Sequence, residues 1–336
     1  MNLSALKDYL PWSLRSVNPA LNKYGDGILF RAIAKTPPVA TNPDADTGIH
    51  SAVPHRYVLA YLTAIKSFLR YVPDVAVYVH DDGSLREEDK GLIRAHLPDA
   101  QIVDRAHADE TFAARVGDEF LMRVRKSYTS YLKLFDPTLI STKPRIVIVD
   151  TDVLFMRNPS AVMDWSREGG LPWYHQSEPW GNPARSAPRA GSDAAAPSAE
   201  QPVHIQRLVV QRLEEINEQL GTHYAFVPGF NSGFIGYEHG TVAYGELKQL
   251  LSHLYGLFGD RIFRWGAEQT MHGLVLCGQG ATALPTVDYM VHTNLNSARA
   301  EQASFVHFIG EFRYHRFQYP RLAAKVISEL RNPSRP

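Results

Sequence analysis

Cysteine is all but missing: Cys277 is the only one in 336 residues. No intrachain disulfide can staple the fold, and a reducing compartment suits such a chain. Long apolar runs are missing too; none approaches the roughly 18 residues of a membrane-spanning helix. Residues 1–15 lack a basic segment followed by an apolar core, so no secretory signal is expected. They read instead as a mildly amphipathic surface helix, which leaves peripheral membrane contact open. Net charge is absent as well, with Lys+Arg and Asp+Glu at 35 each. That balance excludes a general polyanion binder, and nucleic acid as a partner, but permits a local basic pocket for phosphate. No internal repeat is visible. The expectation is a cytoplasmic protein without a transmembrane segment.

What the chain does have is a core: 44% of its residues are apolar, ordinary for a globular protein of this length. Its organising stretch is Arg145-Ile146-Val147-Ile148-Val149-Asp150-Thr151-Asp152-Val153-Leu154-Phe155. Four consecutive β-branched residues favour a strand. Because the run does not alternate, it reads as a strand buried on both faces, as in a parallel sheet. It ends in two carboxylates one residue apart. Ligands of open α/β sheets bind outside the carboxyl ends of the strands. Asp150 and Asp152 therefore stand where chemistry is expected, close enough to share a hard cation. The bland alternative is a strand end whose acids cap a turn.

Around this strand the pattern predicts an α/β fold. A first strand is expected over residues 27–34, then a Pro-, Thr- and Asp-rich loop over 36–50. Leu59, Leu62, Ile65, Phe68 and Leu69 recur at helical spacing over 57–71. Strands follow at 75–80 and 101–103, with a helix over 86–96 between them and helical stretches to Phe135. Strands alternating with helices of this length imply crossovers and a mostly parallel sheet. Residues 181–202 are rich in Pro, Ala and Ser and contain no aromatic; they read as a mobile segment, either a plain insertion or a lid. Beyond them come a helix over 203–220, a Gly-rich turn over 228–233, helices over 240–257 and 266–277, a short strand at 282–285, and a strand-like run over 303–308.

Two aspartates alone hold a divalent ion weakly, so a third ligand is needed. His307 is the best candidate: it ends an apolar run, Gly310 three residues later lets backbone approach a ligand, and Arg313 could pair with phosphate. Imidazole beside carboxylates favours Mn²⁺ over Mg²⁺ or Ca²⁺. A lone histidine on such a run can equally be a satisfied core residue.

These motifs together resemble the GT-A glycosyltransferases, and within them the retaining family eight of glycogenin and the bacterial lipopolysaccharide galactosyltransferases. Asp150-Thr151-Asp152 matches the family's Asp-x-Asp, and Lys133, seventeen residues earlier, stands where the family has a donor-contacting Arg. Phe230-Asn231-Ser232-Gly233 matches its Phe-Asn-Ala/Ser-Gly, and Glu268-Gln269 its Asp-Gln. His307-Phe308-Ile309-Gly310 with Arg313 matches its carboxy-terminal His-Phe-x-Gly-x-x-Lys, while Tyr314 and His315 replace the Pro-Trp. The likeness runs over roughly residues 120–315; the first half matches only in layout.

The resemblance implies a single GT-A (Rossmann-like) domain, with a mostly parallel sheet flanked by helices. Residues 25–165 would form the nucleotide-sugar half, 166–320 the acceptor half with its mobile insertion, and 321–336 a carboxy-terminal tail. It implies a metal site at Asp150, Asp152 and His307 for Mn²⁺ (or Mg²⁺), and Asp150, Asp152, Glu268 and Gln269 as the catalytic set. Asp82, Lys133, Thr151, Asn231, Ser232, Gly310 and Arg313 would bind a UDP- or GDP-sugar, whose sugar passes to a glycan or other hydroxyl acceptor. Read from the residues alone, Asn231 also suits a turn, Glu268-Gln269 the solvated start of a helix, and Asp82 a simple turn. Trp173, Trp180 and Trp265 could stack on an acceptor sugar or pack in the core. Two rival functions share the acidic motif or the fold: a haloacid-dehalogenase-like phosphatase with Asp150 as nucleophile, and a non-catalytic sugar-binding protein. Retention follows from the resemblance alone; inversion would call for a base such as Asp288 or Glu238.

Overall fold

The structure, a computed structural model, describes residues 25–177 and 205–332. The amino-terminal surface helix and the 181–202 insertion expected from sequence lie outside these residues. The described strands are β1 (Thr47–Val53), β2 (Ala76–Asp81), β3 (Gln101–Val103), β4 (Arg145–Val149), β5 (Val153–Phe155), β6 (Trp173–Gln176), β7 (Phe230–Glu238), β8 (Thr282–Ala283), β9 (Tyr289–Val291) and β10 (Phe305–His307). The main helices are α1 (Val58–Leu69), α2 (Glu87–His96), α3 (Arg105–Arg115), α4 (Glu119–Ser127), α5 (Tyr131–Ile140) and α6 (Ser160–Glu168) in the first half. The second half contributes α7 (Ile205–Gln211), α8 (Leu213–Leu220), α9 (Tyr244–Phe258), α10 (Ala267–Gly278) and α11 (Gln318–Arg331).

Among the described residues, seven strands form one sheet in the order β3-β2-β1-β4-β7-β6-β8, and three form a second, β5-β10-β9. β3, β2, β1 and β4 run parallel, while β7 is antiparallel to both β4 and β6. The α/β architecture with a mostly parallel sheet flanked by helices is thus the one expected. β4 shows why its sequence does not alternate. Ile146 and Ile148 enter a core with Leu134, Leu250 and Met271. Val147 and Val149 enter another with Leu62, Ile65 and Ile93. Helices cover both faces.

The organising stretch is two strands rather than one. The chain leaves the large sheet after Val149, turns through Asp150-Thr151-Asp152, and joins the small sheet as β5. Backbone bonds hold the turn between the two sheets: Asp150 N donates to Gly233 O at 2.8 Å, and Phe308 N donates to Asp152 O at 2.9 Å.

Other expectations are corrected. Residues 27–34 form a helical turn (Asp26–Leu29) and a 3-10 helix (Arg31–Lys35), not a strand. Phe30 and Ile33, three apart, are fully buried, whereas Ile28 is 63% exposed; that is helical spacing. Among the described residues the first strand, β1, begins inside the expected loop. Gly48, His50 and Ser51 disguise it, being poor strand formers. Tertiary partners satisfy them instead: Ser51 Oγ donates to Val149 O at 2.7 Å, and His50 Nδ1 lies 2.9 Å from His80 Nε2. Of the Gly-rich turn expected over 228–233, Pro228 and Gly229 do turn, Gly229 at φ +85°, whereas residues 230–233 are the start of β7. The stretch read as a tail is α11 through Arg331, whose Tyr319, Leu322, Ala323 and Val326 bury against Leu154 and Val306 of the small sheet. No described helix is long and apolar enough to cross a membrane.

One buried charge lies away from the cleft. Lys66 on α1 is fully enclosed, donating to Thr36 Oγ1 (2.6 Å) and Pro37 O (2.5 Å), with His96 Nδ1 at 3.0 Å. These partners are neutral acceptors, and burial drops its amine from 10.5 to about 8. Between those values the unfolded chain keeps a proton that the folded chain has lost, so stability rises with pH there. From pH 7 to pH 10 the wild type should gain about 2 kcal/mol on Lys66→Met, as measured by urea unfolding. A pH-independent difference would mean that the site accommodates the charged amine.

Candidate active site

The turn between the sheets opens on a cleft of two lobes. One, of about 630 Å³, is lined by Tyr57, Asp82, Tyr128 and Arg313 among others. The other, of about 520 Å³, is lined by Asn231, Ser232, Glu268, Gln269 and His307 among others. Lys133, Asp150, Asp152, Trp265 and Gly310 border both. Each residue of the metal, catalytic and donor-binding sets expected from sequence therefore lines a lobe, and Thr151 lies on the first.

At the junction one ligand atom each from Asp150, Asp152 and His307 lie within 4.8 Å of one another. His307 reaches this point from the end of β10, with Nε2 3.1 Å from Asp152 Oδ1 and 3.8 Å from Asp150 Oδ2. Gly233 makes room for it. A Cβ there would fall 2.3 Å from His307 Cε1 and 3.0 Å from Asp150 Oδ2. Gly233 is thus a packing glycine, not a turn glycine. Gly233→Ala should displace the imidazole and weaken Mn²⁺ binding by about tenfold or more, read by Mn²⁺ titration; wild-type affinity would show that the ring is not fixed there.

Two cations bracket the acids. Lys133, from the first turn of α5, donates to Asp150 Oδ1 at 2.8 Å and stands 3.6 Å from Glu268 Oε2. Burial would lower its amine, but Asp150 and Glu268 outweigh burial and hold it well above the usual lysine range. Arg313 pairs with Asp152, donates through Nε to Phe308 O at 3.3 Å, and lies over the Tyr57 ring at 5.1 Å. Burial would raise the Asp152 carboxyl; Arg313 and His307 overcome it and keep the group well below the ordinary carboxylate range.

Glu268 is not a solvated helix start. It is 5% exposed, close to Lys133, bonded to His272 Nδ1 at 2.7 Å and accepting from Ser232 Oγ at 3.3 Å. Burial pushes its carboxyl up, and Lys133 with His272 and Ser232 bring it below the usual range. Ser232 N donates to Gln269 Oε1 at 3.4 Å. Asn231 accepts from Gly233 N at 2.9 Å through Oδ1, which fixes the amide and turns its NH₂ group away from that bond. Asp82 accepts from Thr129 Oγ1 at 3.4 Å on the wall of the larger lobe.

Of the three tryptophans, Trp173 is buried in the core, Trp180 lies outside the described residues, and Trp265 is 68% exposed between the lobes. Asp288 and Glu238 line neither lobe; Glu238 accepts from Gly170 N at the opposite end of β7. Sequence reasoning missed Tyr57, His175 and His272. A histidine inside the apolar run Trp173-Tyr174-His175 was the one available signal for the second of these.

No protein-family model and no curated protein matches the chain. Solved structures do. The galactosyltransferase LgtC, in complex with donor and acceptor sugar analogs, is 16% identical over 86% of this chain and 97% of that one, at a TM-score of 0.48. WbbM, a bifunctional glycosyltransferase in its apo form, is 14% identical at a TM-score of 0.49; the match covers 86% of this chain but only 51% of WbbM. Mouse xyloside xylosyltransferase 1, also apo, is 11% identical over 82% of this chain and 98% of that one, at 0.44. At such identities and TM-scores these are likenesses only, and function must be read from the cleft.

Proposed function

We propose that the protein is a metal-dependent glycosyltransferase that moves a sugar from a UDP- or GDP-sugar to a hydroxyl of a glycan, with retention of anomeric configuration. The observation that carries this reading is the Asp150–Asp152–His307 ligand set at the meeting of two lobes, flanked by Lys133 and Arg313. Two carboxylates and an imidazole suit a divalent cation, and the imidazole favours Mn²⁺ over Mg²⁺. The bare Cα of Gly233 leaves the imidazole its seat. When bound, the ion would supply neutralisation of the charge that collects on the departing diphosphate.

The protein's own groups do the rest. Arg313 offers a planar fork to phosphate oxygens, and Lys133 adds a fixed positive charge on the border of the lobes. Gly310, exposed at φ +44°, lets the backbone run close to a ligand. Thr151 and Asp82, on the larger lobe, are assigned to the nucleotide. In the smaller lobe the Asn231 amide, Ser232, Glu268 and Gln269 are assigned to sugar hydroxyls, for which donor-plus-acceptor amides and a pure acceptor are suited. Trp265 offers an exposed aromatic face to an acceptor sugar. Trp265→Ala should raise the acceptor KM about tenfold with kcat little changed; an unchanged KM would free Trp265 from this role. The phosphatase alternative calls for a further acid beside Asp150 and Asp152, whereas the third group there is His307.

A panel of nucleotide sugars, assayed for transfer or slow hydrolysis with Mn²⁺ and with EDTA, tests the reading. Metal-dependent consumption of at least one donor is expected, with UDP or GDP raising thermal stability only when metal is present. Inert donors and no stabilisation would overturn it. NMR of the first-formed product tests retention: an inverted anomer rejects that part alone.

A further inference from the structure

His307 is itself held by a second imidazole that belongs to no ligand set. His175 on β6 is fully buried, with the edge of its ring against Phe305 at 5.0 Å between centroids. Its Nδ1 lies 3.2 Å from Phe234 O, and its Nε2 lies 3.1 Å from His307 Nδ1. A local irregularity aims it there. The β6–β7 register jumps between Tyr174 and His175, from Ile235 to Asn231, and the ring crosses that gap to the Phe234 carbonyl. Bulges commonly re-aim a side chain beside an active site.

The order of protons follows from one carbonyl and the two acids. An oxygen of this kind can only accept, so Nδ1 of His175 carries the hydrogen that Phe234 receives. At 3.1 Å one hydrogen lies between His175 Nε2 and His307 Nδ1. His307 turns its Nε2 to the two carboxylates. An imidazole that coordinates through Nε2 keeps its hydrogen on Nδ1, and Nε2 of His175 is placed to accept it.

Building on the metal reading above, we propose that His175 is a positioning residue for the metal site: it fixes the tautomer and ring plane of His307, so that Nε2 is the coordinating nitrogen. Partners of this kind to a ligating histidine commonly govern metal affinity by about 10–100-fold.

The test is Mn²⁺ alone titrated into the full-length protein, followed by water-proton relaxation, in wild type, His175→Leu, His175→Gln and His307→Ala. Leu at 175 should weaken Mn²⁺ binding by about 10–100-fold. Gln, whose amide can donate to Phe234 O and accept from His307, should recover most of it. Mere core packing gives the opposite order, with Leu at least as good as Gln, and that order overturns the proposal. Imidazole ¹⁵N spectra of the metal-free wild type provide a readout that needs no variant to fold. Hydrogen on Nδ1 of both rings is expected, and a bare His307 Nδ1 overturns the assignment. If wild type takes up no Mn²⁺, the site reading fails and this role goes with it. If His307→Ala loses the metal but His175→Leu keeps it, this inference alone fails.

Discussion

Replacing Asp152 with Asn should reduce UDP or GDP affinity in Mn²⁺ to the level measured in EDTA, and lower turnover on the order of 10³-fold. The substitution keeps the shape of the side chain and removes its charge. That charge is present at every working pH, because Arg313 and His307 hold the carboxyl well below its ordinary range despite burial. The backbone bond from Phe308 N to Asp152 O survives, so the turn keeps its anchor to the small sheet. Arg313 would lose the charge of this partner while keeping its contacts with Phe308 O and the Tyr57 ring, so some loss of stability is expected beside the loss of binding. Nucleotide binding must therefore be measured by calorimetry below the variant's own unfolding temperature. Metal-dependent affinity equal to wild type in folded Asp152→Asn would remove the carboxylate from the site.

How far the sequence reaches depends on whether a feature is local. The run Ile146–Val149 announces β4 because lack of alternation is itself the mark of a strand with helices on both sides, and both cores claim its side chains. The two acids are legible for the same reason: they stand where that run stops. β1 is not legible, since Gly48, His50 and Ser51 become strand residues only through His80 and the Val149 carbonyl. The segment Phe230–Gly233 is visible as a motif but not as a strand. Its glycine serves a contact with His307, which no local rule contains. Glu268 looks like the polar start of a helix until Lys133, Ser232 and His272 close on it. His175 lies furthest from prediction: its partners are 59 and 132 residues away along the chain.

Lys133→Met should separate catalysis from metal binding, because the two respond to this amine with opposite sign. Lys133 stands between Asp150 Oδ1 and Glu268 Oε2, at 2.8 and 3.6 Å. Removing the cation relieves Asp150 of a competitor for its oxygen, so Mn²⁺ alone should bind at least as tightly as in wild type. Turnover should nevertheless fall by about 10²–10³-fold on the proposed function, which assigns this fixed positive charge to the leaving diphosphate. Glu268 should change as well. Lys133 is the main influence opposing burial at its carboxyl. In wild type that depressed carboxyl contributes stability above the usual carboxylate range and loses it as pH falls through the folded value. Without Lys133 this contribution shrinks, so the variant should unfold at a higher pH than wild type on acid titration. Lys133→Arg keeps the sign of the charge and should retain more turnover than Met, within the room the cleft allows a larger head group. Weaker Mn²⁺ binding in Lys133→Met, with turnover per metal-loaded molecule unchanged, would make the lysine a structural support for Asp150 and no part of the chemistry.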